Sequence, residues 1–152
     1  LVGSEMCIRD RYRYKFNLVK VIDGDTVDVD IDLGFGVWLK KERIRLAGID
    51  TPESRTRDLE EKKFGLIAKA KVKELLNYDS CILVTFKDEK GKFGRILGDF
   101  EMIYKGTKAS FSLVEHLITE HYGVRYFGQN KDLIKTEHLA NREWLLKRGK
   151  VK

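Results

Sequence analysis

Ile44-Arg-Leu-Ala-Gly-Ile-Asp-Thr-Pro-Glu53 is the stretch from which the fold is read. Its first half alternates as a strand, with Ile44, Leu46 and Gly48 on one side and Arg45, Ala47 and Ile49 on the other. Taken with the residues before it, the strand is expected to run from Val37 to Ile49. Pro52 has no N–H to donate and biases Thr51 toward an extended conformation, so the ladder is expected to stop there. Asp50 and Glu53 then stand at a strand end facing a cleft, and Arg45 lies on the strand leading to them. One guanidinium and two carboxylates on a rigid support exceed what a core requires.

Upstream, Val21-Ile-Asp-Gly-Asp-Thr-Val27 places Asp23-Gly24 between apolar runs, which signals a tight turn. Alone, this is a hairpin turn rather than a metal site. Residues 14–22 read as a first strand. Thr26 to Leu33 alternates, with Val27, Val29, Ile31 and Leu33 on one face and Asp28, Asp30 and Asp32 on the other. The three spaced aspartates are not a calcium loop: counted from Asp28, Leu33 and Leu39 stand where an EF-hand needs Gly and Glu. They are the solvent side of a strand. Gly34-Phe-Gly36 is a turn, and Trp38 is expected at the barrel's cap or rim.

Downstream, 54–59 is a polar loop. Phe64, Ile67, Ala68, Val72, Leu75 and Leu76 then form a helical stripe ending near Asn77. Asp58 and Glu61 suit a capping box, whereas Gly65 argues for a later start. Residues 80–87 read as a strand, 88–92 as a charged turn and 93–104 as its hairpin partner. Ser112-x-x-Glu115 opens a second helix that Gly123 is expected to end. Residues 133–147 form a third helix with a weaker stripe. Its tail carries Arg142, Lys147, Arg148, Lys150 and Lys152 against Glu143; a solvated helix end is the default reading and a nucleic-acid contact the alternative. Five strands with a helix after the third and helices at the end make an α+β fold built on a small closed barrel.

Composition narrows the class. Hydrophobic residues make up 42% and charged residues 36% of 152, a balance that buries a core and excludes a disordered chain. No apolar run approaches the roughly 18 residues of a membrane-crossing helix. The net charge of +6 points to an anionic partner. Cys7 and Cys81 cannot form a disulfide framework or a zinc site, and Cys81 is expected as a buried thiol. His116, His121 and His138 show no ligand or triad spacing and are expected to pack or face solvent. Residues 1–11 resemble translated sequencing-adapter DNA and are set apart from the fold; they lack the long apolar stretch of a signal peptide, and no compartment is assigned.

The order of Asp25 in a turn, Arg45 on a strand, Asp50-Thr51-Pro52-Glu53 and the arginine of Phe93-Gly94-Arg95 resembles the staphylococcal nuclease (thermonuclease) family. The resemblance covers about residues 14–147. It implies an OB-fold, a five-stranded Greek-key barrel, with 12–152 as one nuclease domain carrying three helices. It implies a monomer that cuts single-stranded DNA and RNA with little sequence preference, leaves 3′-phosphate ends, needs Ca²⁺ and involves no membrane. Positions matching Asp25, Asp50 and the Thr51 carbonyl hold calcium in the family; the match to Glu53 acts on the attacking water; the matches to Arg45 and Arg95 bind phosphate. Asp23 matches a further acidic position behind these. Lys92 is retained, but Phe93 stands where the family often has tyrosine, so a hydroxyl contact to a terminal phosphate is missing. Tyr126 and Phe127 fall near the family's base-stacking tyrosines, and either stack on bases or close the barrel.

The residue chemistry agrees with that resemblance. Asp25 and Asp50 are hard oxygen donors suited to Ca²⁺, and with Glu53 they would repel one another without a cation. Guanidinium forks match phosphate. A non-catalytic OB-fold module binding nucleic acid or protein is the alternative. Such modules of the family usually lose the acidic and arginine positions, and here each is present.

Overall fold

The computed structural model describes residues 11–77, 80–90, 95–104, 106–107 and 109–151. The readings made for residues 1–10, Lys92 and Phe93 lie outside the described residues. In chain order the elements are β1 (Arg11–Asp23), β2 (Thr26–Gly34), β3 (Val37–Leu46), β4 (Ile49–Asp50), α1 (Leu59–Leu76), β5 (Cys81–Lys90), β6 (Ile96–Ile103), β7 (Ser110–Ser112), α2 (Leu113–Thr119), β8 (Val124–Arg125) and α3 (Lys131–Lys147).

The long strands run in the order β3-β2-β1-β5-β6, and β3 also pairs with β6, closing a five-stranded barrel. Every pairing is antiparallel except that closure, which is parallel and matches Ile44 with Ile96 and Leu46 with Gly98. Closure leaves no open edge among these strands. With three helices around it, this is the OB-fold type of α+β architecture.

Alternation fills the interior as read from the sequence. Val27, Val29, Ile31, Ile44, Leu46, Leu83 and Phe100 are all buried, and Phe16 meets Phe100 edge-on with ring centroids 4.9 Å apart. Leu33 breaks the expected pattern: it is exposed, as are Phe35, Val37, Trp38 and Leu39. The β2–β3 hairpin runs past the barrel's end, where alternation has no core to point into.

Several boundaries differ from expectation. β1 begins at Arg11, not at residue 14, so residue 11 belongs to the fold, and β5 runs on to Lys90, paired with Ile96, through part of the expected 88–92 turn. The strand from Val37 does not continue to Ile49. β3 ends at Leu46, whose N–H donates to Asp25 O at 2.8 Å, while Ala47 N–H donates to Gly98 O at 2.8 Å. Gly48 then adopts φ 80°, a left-handed conformation cheap only for glycine, and redirects Ile49–Asp50 into a ribbon with β8.

α1 starts early, at Leu59. Asp58 caps it by accepting from Glu60 and Glu61 N–H at 3.0 and 3.2 Å. Gly65 is no start signal; a Cβ there would lie 2.3 Å from the Glu53 carbonyl oxygen, so the glycine lets the helix pack against the site loop. The reciprocal half of the capping box is replaced, because the Glu61 carboxylate accepts from Glu53 N–H at 3.3 Å.

α2 opens at Ser112 as expected but stops at Thr119, short of Gly123; Glu120 caps it and His121 takes φ 66°. Cys81 is half-buried, with Sγ 3.1 Å from Met102 Sδ. No helix among the described residues is long and apolar enough to cross a membrane.

Candidate active site

The turn between β1 and β2, the end of β3 and the segment after β4 converge at one end of the barrel. Asp25 is buried in that turn. Its carboxylate accepts from Thr51 N–H at 3.1 Å and from Thr26 Oγ at 3.0 Å. Arg45 reaches over from β3 and places one terminal nitrogen 3.5 Å from Asp25 Oδ2 and 3.7 Å from Asp50 Oδ1. Its other terminal nitrogen donates to Leu46 O at 2.9 Å, which fixes the fork. Two carboxylates remote in sequence thus share one guanidinium.

Asp23 holds the loop after Pro52. Its carboxylate accepts from Ser54 N–H at 3.2 Å and from the Ser54 hydroxyl in a very short contact. Ser54 is itself 2% exposed, so the loop carrying Glu53 is anchored from beneath while Glu53 stays exposed. Glu53, Arg45, Asp25, Asp50 and Arg95 line one cleft.

Acids and bases are interleaved in that cleft, and two of its carboxylates have raised proton affinities. Burial raises the Asp25 carboxyl above the ordinary aspartate value; Arg45 and the Thr51 N–H oppose this, and the Asp50 charge adds to it. Glu53 is raised too, by burial first and then by the charges of Asp23, Asp25, Glu61 and Asp50. Four neighbouring carboxylate charges thus act on Glu53, and a cation would relieve them.

The donor set fits a hard cation. Asp25 and Asp50 offer carboxylate oxygens, and Thr51 Oγ is buried without a hydrogen-bond partner among the described residues. The residues do not form a complete cage: among the described residues, no three His, Cys, Asp or Glu side chains cluster as a metal site. Backbone carbonyls and water must complete the coordination of a large, flexible ion such as Ca²⁺.

Tyr126 and Phe127 do not close the barrel. Neither belongs to its core, and Phe127 is 77% exposed. Tyr126 N–H donates to Gly48 O at 2.9 Å, and the Phe127 ring lies over Gly48. Together with Leu97 and Phe111 they line a second, more apolar cleft, which shares Arg45, Arg95 and Tyr126 with the first.

One candidate position escaped the sequence reading. His138, which shows no ligand or triad spacing in the sequence, puts Nε2 2.8 Å from Asp50 Oδ2. A carboxylate only accepts, so Nε2 carries the proton. His138 therefore holds one oxygen of Asp50 while Arg45 approaches the other. Arg142 is a further correction: it does not belong to a solvated helix end but is half-buried and lines the acid cleft. A periodic signal existed, since Lys131, Lys135, His138 and Arg142 recur at helical spacing on α3.

Comparison with known proteins gives a concordant result. The family model of staphylococcal nuclease homologues matches residues 43–145. Over 82 residues the chain is 33% identical to the thermonuclease of Staphylococcus hyicus, which covers 54% of this chain and 45% of that protein. Over 78 residues it is 35% identical to the thermonuclease of Staphylococcus intermedius, covering 51% and 43%. The matched segments span less than half the length of either relative.

Proposed function

The chain belongs to the staphylococcal nuclease family, and on that premise we propose that it is a Ca²⁺-dependent nuclease. It hydrolyses phosphodiesters of single-stranded DNA and RNA with little sequence preference and leaves 3′-phosphate ends. The observation that carries this reading is the sharing of Arg45 by Asp25 and Asp50, with Glu53 and Arg95 in the same cleft.

Asp25, Asp50 and the Thr51 carbonyl would hold the ion, and Ca²⁺ bound there would supply positive charge that offsets the charge of the phosphate. The protein's own groups do the rest. Glu53 takes the proton of the attacking water; its raised affinity for protons moves it toward the range in which a general base works best. Arg95 and Arg45 hold the non-bridging oxygens and offset the charge that builds as phosphorus becomes five-coordinate. Asp23, through Ser54, keeps the Glu53 loop in place.

Tyr126 and Phe127 give bases a stacking surface that accepts any base. The apolar cleft beside the arginines suits unstacked bases, which a single strand presents and a duplex does not.

The test is cleavage of a fluorescent single-stranded oligonucleotide in Ca²⁺ and in chelator, with Glu53→Gln and Arg95→Ala alongside. Cutting is expected only with Ca²⁺, and each substitution is expected to lower kcat by about 10²–10⁴-fold. Equal cutting in chelator, or full activity in both variants, refutes the proposal. Binding without cutting in the unaltered chain would instead assign a binding module.

A further inference from the structure

The third helix carries more positive charge into the acid cleft than the chemistry above uses. α3 contributes Lys131, Ile134, Lys135, His138, Leu139 and Arg142 to the cleft lining. The spacing is that of one helical face. The charges of the helix are sorted by face: its acids Asp132, Glu137 and Glu143 are all absent from the lining.

The cations on this face are not consumed by the protein. Among the described residues Lys131, Lys135 and Arg142 form no ion pair, whereas Arg13, Lys40, Arg43, Arg45, Lys63, Lys71, Arg125 and Lys147 all do. Arg142 stands over the Phe64 ring, 5.4 Å from its centroid. Its Nε is buried without a hydrogen-bond partner among the described residues. A half-buried guanidinium with an unused donor is costly unless something fills the place.

We propose that the Lys131, Lys135 and Arg142 face of α3 is a rail for the phosphates of a polynucleotide strand that flank the scissile one. Lys131 and Lys135 are one helical step of about 6 Å apart along the axis, and Arg142 lies about 10 Å further. The first step is close to the separation of neighbouring phosphates in an extended strand, and the second spans more than one such separation. The occupant is a single-stranded polyanion because the cations form a line along one helix rather than a cluster around one point. The rail lies on the acid side of Arg45 and the aromatic cleft on the other, so a strand crossing the site is gripped on both sides of the reacting phosphate.

This deepens the nuclease reading, but it is tested on binding alone. The measurement is fluorescence anisotropy of a labelled oligothymidylate in chelator over a range of salt. Each single-strand phosphate contact adds about 0.7 to the slope of log affinity against log salt. Lys131→Ala/Lys135→Ala, both at exposed positions, is expected to lower the slope by about 1.4. Arg142→Gln is expected to lower it by about 0.7. Lys62→Ala/Lys73→Ala, exposed on α1 and outside the cleft, matches the charge change and should leave the slope as it was.

An unchanged slope in the α3 double variant overturns the proposal, and so does an equal loss in the α1 double variant, which would mean bulk charge. If the α3 variants lose slope while the unaltered chain cuts nothing in Ca²⁺, the rail stands and the nuclease reading falls. If the chain cuts and the slopes do not move, the rail falls alone.

Discussion

The two clefts that meet at Arg45, Arg95 and Tyr126 share a wall and little else. One is lined by carboxylates that burial and mutual repulsion hold against their preference to ionise. The other is lined by Leu97, Phe111 and Phe127, and its charged groups include the pairs Arg13 with Glu101 and Arg125 with Glu115 and the Asp99 carboxyl, which burial raises. The Arg125–Glu115 pair faces solvent, where screening leaves an ion pair little net effect. The acid cleft gathers carboxylates that repel one another, and the second cleft offers more apolar area. On the proposed reading the reaction takes place in the first, and the second adds a stacking surface for bases.

The sharpest way to break the contrast is Arg45→Ala. It leaves Asp25 buried without its cation, which is expected to cost about 3–5 kcal/mol in chelator; urea unfolding at neutral pH reads it. A loss no larger than that of an exposed substitution would mean that Asp25 does not depend on Arg45.

Phe127→Ala acts on the other cleft. It is expected to weaken oligonucleotide binding by about 1–3 kcal/mol, without the stability loss, because the ring is exposed. A drop in melting temperature instead of affinity would make Phe127 a structural residue.

His138→Ala sharpens the acid side. Freeing one oxygen of Asp50 is expected to weaken Ca²⁺ binding about tenfold by calorimetry, with His138→Gln restoring part of the loss through its amide donor. Unchanged Ca²⁺ affinity would reduce the contact to packing.

The smallest effect is one of sign. Asp25 and Glu53 both have proton affinities raised by folding. Their protonated forms favour the folded state, so their contribution is fully present below the ordinary carboxylate pKa and is lost as pH rises through the raised values. In chelator above that range, Glu53→Gln should melt slightly higher than the unaltered protein; a lower melting point would show that Glu53 is not under repulsion. Added Ca²⁺ should reverse the order, since only the unaltered protein gains the full counter-charge.

Local patterns carried much of this architecture. The alternation of Val27, Val29 and Ile31 named a strand and its buried face, and Asp58 and Ser112 named two helix starts, because side chain and backbone within a few residues decide those features. Gly65 misled because its reason is the Glu53 carbonyl 2.3 Å from where its Cβ would be, a neighbour outside the helix. The candidate acids and arginines were legible by type and order. The family match, over 43–145, spans Arg45, Asp50, Glu53 and Arg95 but not Asp25, whose contact with Thr51 the structure shows.

What the sequence determined alone was the five barrel strands, the three helices, the charge balance and the candidate acids and arginines, since periodicity and residue type are local properties. Tertiary structure decided where β3 stops, which carboxylate oxygen each partner holds and which face of α3 looks into the site. Leu46 ends its strand against Asp25 O. His138 meets Asp50 from 88 residues away. Arg142 turns from a helix end into the cleft. Each depends on the closed barrel and the packing of α3 bringing distant chain together, and no window of neighbouring residues contains that distance.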